Sequence, residues 1–202
     1  MGKTGSDMGD IPSTELNARL VSIIEATPWF MRALRVVRDM ALPNWCIGAG
    51  ALRNVVWDSL HGYAAFSLPR DIDLALFDTT DLSREHDREI ELRLRRVEPA
   101  FPWEVTNQAG VHLWFEQVFG HTVEPLLSIE DAVASWPETA TAVAVCLDEK
   151  DVIRVIAPLG LEDLFGMVVR RNPRRVGVET YRRRIASKRY PERWPMVRVI
   201  EA

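Results

Sequence analysis

A short apolar run that enters a glycine turn and continues as a helical pattern constrains this chain most. The stretch WCIGAGALRN, from Trp45 to Asn54, places Gly48 and Gly50 where a strand would pass into a helix. Backbone amides at the start of a helix favour bound phosphate. The pattern therefore predicts a phosphate-binding turn, either that of a dinucleotide-binding fold or one that holds another phosphate.

The dinucleotide alternative requires a third glycine, which lets the helix pack closely on the strand. Arg53 occupies that position. The same fold uses one acid, about twenty residues downstream, to bind ribose. Asp71 and Asp73 lie in that region, so the spacing leaves NAD binding open, whereas Arg53 argues against it.

The two aspartates lie in RDIDLALFD, a stretch that alternates as a strand does. Side chains two residues apart on a strand share a face, so Asp71 and Asp73 point together and Ile72 points into the core. Adjacent carboxylates repel each other unless a cation lies between them, and Mg²⁺ is commonly held by one or two carboxylates plus substrate phosphates. A phosphate-plus-metal site is predicted; the alternative is a surface pair bound to Arg70.

Length and composition indicate an ordinary globular domain. The 202 residues are 47% apolar and 27% charged, which argues against a disordered chain. No apolar run approaches the roughly 18 residues that span a membrane, and the first residues lack the apolar core of a signal peptide. We expect a flexible tail over residues 1–12, a single domain over 13–202, no membrane partner and a cytoplasmic location. Cys46 and Cys146 are expected to be free thiols.

Local patterns predict an α/β (α+β) fold with a few short strands and many helices. Caps at Ser83 and Ser128 begin two of the helices. Helices are predicted over residues 14–26, 28–42, 51–62, 83–99, 109–120, 128–136, 160–173 and 178–194. Strands are predicted over residues 45–48, 71–78 and 102–108, with a hairpin formed by 139–148 and 151–158.

Three smaller interpretations concern single residues. Asn107 is expected to cap the helix that follows it, and His112 to be a packed or surface residue. The tryptophans, notably Trp45, Trp57, Trp103 and Trp114, are expected mainly in the core.

Charge is unevenly distributed along the chain. The net charge is −4, yet residues 170–202 contain eleven Lys and Arg against three Glu. Such a segment favours an anionic partner, either a phosphate-bearing substrate or a nucleic acid. A solvated helix face that balances the acidic middle of the chain is an equally good interpretation.

The glycine turn followed by DIDLALFD resembles the nucleotidyltransferase superfamily of DNA polymerase β type. Together with GAGALRNVVWD, WEVTNQAGVHLW, SWPETATAV and YRRRIASKRYPERWP, these stretches are similar to a bacterial nucleotidyltransferase-like family without a settled substrate. The resemblance runs from about Trp45 to the C-terminus. It implies a nucleotidyltransferase fold: a short mixed β-sheet flanked by helices, with additional N- and C-terminal helices and a basic helical part over about 158–202.

The resemblance also implies site roles. Catalytic and metal-binding roles are implied for the three acids Asp71, Asp73 and Glu104, with Glu104 also a candidate general base. Nucleotide-binding roles are implied for Gly48, Ala49, Gly50, Arg53 and Asn54, although a surface ion pair is an equally good interpretation of Arg53. The turn reads Gly-Ala-Gly and so lacks the serine that the superfamily usually places there.

The implied activity is Mg²⁺-dependent transfer of a nucleoside monophosphate from an NTP to an unidentified acceptor, with release of pyrophosphate. Two Mg²⁺ ions are expected, with Mn²⁺ as a substitute. The acceptor is a small molecule, a protein or an RNA, and nucleic acid would bind through the basic C-terminus. The alternative is a catalytically inactive module of the same fold that binds nucleotide, nucleic acid or a partner protein.

Overall fold

The computed structural model describes residues 12–63 and 68–202. The predicted tail, residues 1–12, lies outside the described residues except for Pro12. The helices are α1 (Ser13–Glu25), α2 (Pro28–Asp39), α3 (Ala49–Leu60), α4 (Arg84–Val97), α5 (Phe115–Phe119), α6 (Ile129–Val133), α7 (Glu162–Phe165), α8 (Val178–Lys188) and α9 (Tyr190–Arg193). The strands are β1 (Trp45–Gly48), β2 (Ile72–Leu76), β3 (Trp103–Asn107), β4 (Ala144–Leu147), β5 (Ile153–Ile156), β6 (Val168–Val169) and β7 (Arg198–Val199).

A mixed five-stranded sheet forms the centre of the fold, in the order β3-β2-β1-β4-β5. Strands β2 and β3 are parallel, and the other neighbouring pairs are antiparallel. The predicted α+β architecture and the predicted hairpin are therefore confirmed. Because β1 is antiparallel to both of its neighbours, the sheet does not have the parallel arrangement of a dinucleotide-binding fold.

Parallel strands need a crossover, and α4 supplies it between β2 and β3. Ser83 caps this helix by accepting a hydrogen bond from the amide of His86, as predicted. The crossover brings β3 beside β2 in a register that pairs Asp73 with Glu104. Two of the predicted acids thus lie side by side on neighbouring strands.

Alternate residues of β1 enter two different apolar clusters, one on each face of the sheet. Ile47 packs in the larger cluster with the buried faces of α1, α2 and α3, including Leu20, Phe30 and Trp57. Cys46 packs in the smaller cluster with residues of α6. Both cysteines are free, and β1 is covered on both faces.

The C-terminal part departs most from the predicted elements. The helix predicted over 160–173 is present only in α7, because Met167 adopts a left-handed backbone (φ 52°) and the β-branched residues after it form β6. Strand β6 pairs in parallel with β7, a partner about thirty residues away along the chain that local patterns did not predict.

Two other predicted helices are interrupted. Residues 109–120 form a 3-10 turn, Gln108–Leu113, followed by the single-turn helix α5. The last helix breaks at Arg189, which has φ 47°. Pro191 follows two residues later and lacks the amide hydrogen that a continuous helix would need there. Helices α8 and α9 therefore point in different directions. Among the described residues, no helix has the length and apolar character that a membrane span requires.

Candidate active site

The glycine turn is held between β1 and β4. Gly48 pairs with Ala144, and a Cβ on Gly48 would lie 2.5 Å from the carbonyl oxygen of Val143. The next residue, Ala49, has a left-handed backbone (φ 48°), and its amide donates to the same carbonyl at 3.1 Å. Close strand packing, and not a positive φ, therefore excludes a side chain at Gly48.

Gly50 brings the turn next to the two aspartates. A Cβ placed on this glycine would lie 3.9 Å from Oδ2 of Asp73 and 4.0 Å from Oδ1 of Asp71. Gly50 lies in the first turn of α3, where helix geometry provides no intrahelical acceptor for the amides. These amides and the carboxylates consequently face the same small space.

Asp71, Asp73 and Glu104 line that space together. It is a pocket of about 300 Å³, also lined by Gly50 and Lys188, and we call it the acid pocket. Asp71 immediately precedes β2, and Asp73 pairs in register with Glu104. Among the described residues, none is hydrogen-bonded to or ion-paired with any of the three carboxylates, so the predicted alternative of a pair with Arg70 is not observed.

The surroundings of Asp73 perturb its carboxyl group. Burial, followed by the charges of Asp71 and Glu104, raises its pKa from 3.8 to about 6. The charges of Lys188 and Arg184 act in the opposite direction. A buried carboxylate beside two others is unfavourable unless positive charge is added nearby. Shifted pKa values of this kind are common at functional sites.

The donor set fits a hard divalent cation. Mg²⁺ binds oxygen ligands, often one or two carboxylates completed by water and substrate phosphates. The three carboxylates that line the acid pocket supply such oxygens. Burial, together with the charges of Asp71 and Glu104, raises the pKa of Asp73 even though Lys188 and Arg184 act to lower it. Within residues 12–63 and 68–202, no group of three or more His, Cys, Asp or Glu side chains is arranged so that it could hold a metal ion by itself. Water and substrate phosphates would therefore have to complete the coordination of a cation in the acid pocket.

Arg53 lies in the core and does not form the predicted surface ion pair. It is 4% exposed, and its guanidinium stacks against the rings of Trp57, Tyr190 and Trp194 at 4.8 to 5.8 Å. One nitrogen donates to Oδ1 of Asn54 at 2.8 Å. Arg53 occupies the position where a dinucleotide-binding turn has its third glycine. Its contacts anchor α3 to the C-terminal part of the chain.

Glu138 is the buried acid opposite Arg53. It is 1% exposed and accepts hydrogen bonds from Tyr190 at 3.0 Å and from Arg184 at 2.6 Å, with Arg53 at 3.9 Å. Burial raises the pKa of Tyr190 to about 12, so its hydroxyl remains a donor. A second link joins Asp58 of α3 to Arg193 and Trp194. These contacts fix α8 and α9 against α3, along its length from Arg53 to Asp58.

Lys188 was not predicted as a site residue, yet it lines three adjoining cavities. The first is the acid pocket. The second, which we call the turn cavity, has about 520 Å³ and is lined by Gly50, Arg53 and Asn54. The third has about 760 Å³ and lies between α8 and the segment 106–121. The only signal in the sequence was the general excess of basic residues.

Asn107 and the tryptophans are placed largely as predicted. The side chain of Asn107 accepts from the amide of Ala109, which confirms the predicted cap, and it also donates to the carbonyls of Asp78 and Asp81. Asn107 therefore ties the end of β3 to the loop before α4. Trp45, Trp57 and Trp103 are buried as expected. Trp114 is only half-buried and lines the cavity of about 760 Å³, so its expected place in the core was wrong.

Comparison with solved structures supports the same fold. A structure described as an NMR structure that reveals a CCA-adding enzyme head domain is similar over 97% of this chain and 100% of that one, with 28% identity and a TM-score of 0.78. A tRNA-processing enzyme in an apo form is similar in fold, with 16% identity and a TM-score of 0.50. That comparison covers 95% of this chain and 45% of the enzyme.

Comparison by sequence gives the family. No curated protein is significantly similar to the chain. A family model described as nucleotidyltransferase matches residues 35–199, a range that includes the glycine turn, the three acids and α8. The chain therefore belongs to this nucleotidyltransferase family, and its activity in general terms is nucleotidyl transfer.

Proposed function

We propose that the protein transfers a nucleoside monophosphate from an NTP to an acceptor in a Mg²⁺-dependent reaction that releases pyrophosphate. One observation carries the proposal: the first turn of α3 and the carboxylates of Asp71 and Asp73 face one space around Gly50, with Glu104 in register beside Asp73. Amides that can donate hydrogen bonds to phosphate, and carboxylates that can bind a metal ion, would therefore lie within reach of one bound triphosphate.

The chain itself would hold the triphosphate by backbone and by positive charge. The amides in the first turn of α3 lie at the positive end of the helix dipole, where phosphate oxygens bind favourably. Gly50 leaves room for a phosphate to approach this backbone, since its Cβ position has contacts no closer than 3.9 Å. Lys188, at the mouth of both the acid pocket and the turn cavity, adds a cation.

Asp71, Asp73 and Glu104 would hold the metal. When bound, Mg²⁺ supplies charge neutralisation at the carboxylates and polarises the reacting phosphate. This assignment is supported by the absence of a described hydrogen-bond or ion-pair partner at the three carboxylates. It is also supported by the raised pKa of Asp73, which bound positive charge would lower again.

The transfer would be an in-line displacement. A bond forms between the acceptor's attacking oxygen or nitrogen and the α-phosphorus, the bond from that phosphorus to the bridging oxygen breaks, and pyrophosphate leaves. Glu104 is the most exposed of the three acids, which supports a role for its carboxylate in taking the proton that the attacking group loses. An inactive binding module would not require three carboxylates around one phosphate-binding turn, so we do not favour that alternative.

Isothermal titration of each NTP, with and without Mg²⁺, tests the proposal. We expect one or more NTPs to bind only with Mg²⁺, and Asp73→Asn to abolish this binding. Glu89→Gln is the matched control, because it removes an exposed carboxylate on α4 away from the pocket. Pyrophosphate release on addition of candidate acceptors then measures transfer. Mg²⁺-independent binding, or equal binding by intact protein and Asp73→Asn, would exclude the proposed site.

A further inference from the structure

One large cavity between α8 and the segment 106–121 combines aromatic and basic side chains, and we call it the aromatic–basic cavity. Its aromatic side chains include Trp114, Phe115 and Phe119, and its cations include Arg183 and Lys188. None of the described residues that line it is acidic. A volume of about 760 Å³ falls within the range of roughly 300 to 1,000 Å³ that small-molecule sites occupy.

The aromatic wall leaves apolar surface uncovered. Phe119 is 47% exposed and Val118 is 63% exposed, although both line the cavity. Phe115 packs against Phe119, with ring centroids 4.4 Å apart, and this contact supports the ring of Phe119. Exposed apolar side chains gathered in a concave site favour a ligand with a planar or apolar body.

The opposite wall, formed by α8, supplies positive charge, and part of that charge has no partner in the protein. Arg184 is paired with Glu138. Arg183 and Lys188 have no hydrogen-bond or ion-pair partner among residues 12–63 and 68–202. Arg183, a cation without a partner beside an acid-free cavity, favours an anionic group there, and phosphate offers it strong charge-assisted hydrogen bonds.

The position of the cavity separates it from the expected nucleotide site. Gly50, Arg53 and Asn54 line the turn cavity, and none of them lines the aromatic–basic cavity. The aromatic–basic cavity instead adjoins the acid pocket directly, since Thr106, Gln108 and Trp136 line both. The turn cavity and the aromatic–basic cavity meet at Ser187 and Lys188, so a molecule held in the aromatic–basic cavity would reach the acid pocket from beside the turn cavity.

We propose that the aromatic–basic cavity is the acceptor site, and that the acceptor is a small phosphorylated molecule with a planar or apolar body. This inference rests on the proposed function, because it takes the acid pocket as the place of transfer. The acceptor's nucleophilic oxygen or nitrogen would enter the acid pocket past Trp136 and form the new bond to the α-phosphorus. Its own phosphate would remain on Arg183, and pyrophosphate would leave on the side of the turn cavity.

The test uses 1-naphthyl phosphate as the probe and 1-naphthol as its neutral control, titrated into the full chain without NTP. We expect the phosphate to bind and the naphthol to bind much more weakly. Arg183→Gln should weaken the phosphate about tenfold, which is the effect of losing one charge-assisted hydrogen bond. The matched control is Arg182→Gln, since Arg182 precedes Arg183 on α8 but does not line the cavity, and it should bind like the intact protein.

Three results would overturn the inference: no binding of the probe, equal weakening by the two arginine substitutions, or displacement of the probe by Mg²⁺ and NTP, which would make the cavity the nucleotide site. Binding of single-stranded RNA that depends on Arg183, without binding of the probe, would replace the small acceptor by a nucleic acid. Failure of the proposed function is separate, because it appears as loss of Mg²⁺-dependent NTP binding while the probe still binds.

Discussion

Replacing Asp73 with asparagine should stabilise the metal-free protein at neutral pH. The carboxyl group is largely buried beside Asp71 and Glu104, and these surroundings raise its pKa from 3.8 to about 6. The folded state therefore holds the proton more tightly than the unfolded chain does. Stability from this group is fully present below about pH 4 and is lost as the pH rises through 6.

The size of the effect follows from the shift. Roughly 2 pK units at about 1.4 kcal/mol each give about 3 kcal/mol of lost stability above pH 6, taken as an upper value because the pocket opens to solvent. Asparagine has the same shape without the charge. We expect Asp73→Asn to gain up to about 3 kcal/mol at pH 8 and close to nothing at pH 4.

Urea unfolding in the presence of EDTA, at pH 4 and pH 8, measures this difference. Glu89→Gln serves as the control, since it removes an exposed carboxylate and should change stability little at either pH. Added Mg²⁺ should stabilise the intact protein at pH 8 and leave Asp73→Asn unchanged. If Asp73→Asn is less stable than the intact protein at pH 8, or gains the same stability at both pH values, the ionised carboxylate of Asp73 does not destabilise the fold as we infer.

Three further substitutions test other parts of the site. Gly48→Ala places a Cβ 2.5 Å from the Val143 carbonyl and should cost about 1–3 kcal/mol in urea unfolding; an unchanged midpoint would contradict the packing of β1 on β4. Gly50→Ala has space for its Cβ and should gain up to about 1 kcal/mol of helix stability. The same substitution should weaken NTP binding in a titration, and an unchanged NTP affinity would mean that the phosphates bind elsewhere. Glu138→Gln leaves Arg53 and Arg184 without a buried counter-charge and should lower the free energy of unfolding by about 3–5 kcal/mol. Glu149→Gln, at an exposed position, is the control and should leave it unchanged.

Features that depend on neighbouring residues followed from the sequence. The strand, glycine turn and helix around Gly48 are set by a short apolar run and the residues directly after it, and the caps at Ser83 and Ser128 need only an amide three residues away. The pairing of Asp71 and Asp73 on one face follows from the two-residue period of a strand. The position of Glu104 beside them came from the family resemblance, and the register of β2 and β3 agrees with it.

Features that depend on distant segments were decided only by the tertiary structure. The residues after α7, which the sequence pattern placed in a helix, form β6 because residues 198–199 provide a partner strand. Arg53 looked like a surface or phosphate-binding residue, since nothing nearby shows that Tyr190, Trp194 and Glu138 enclose it. Lys188 and Arg183 became part of cavity walls because the break at Arg189 and the buried contacts of Glu138 hold α8 beside the acids. Periodicity records which face of an element is buried, but not which element covers it, and that is determined by packing across the whole chain.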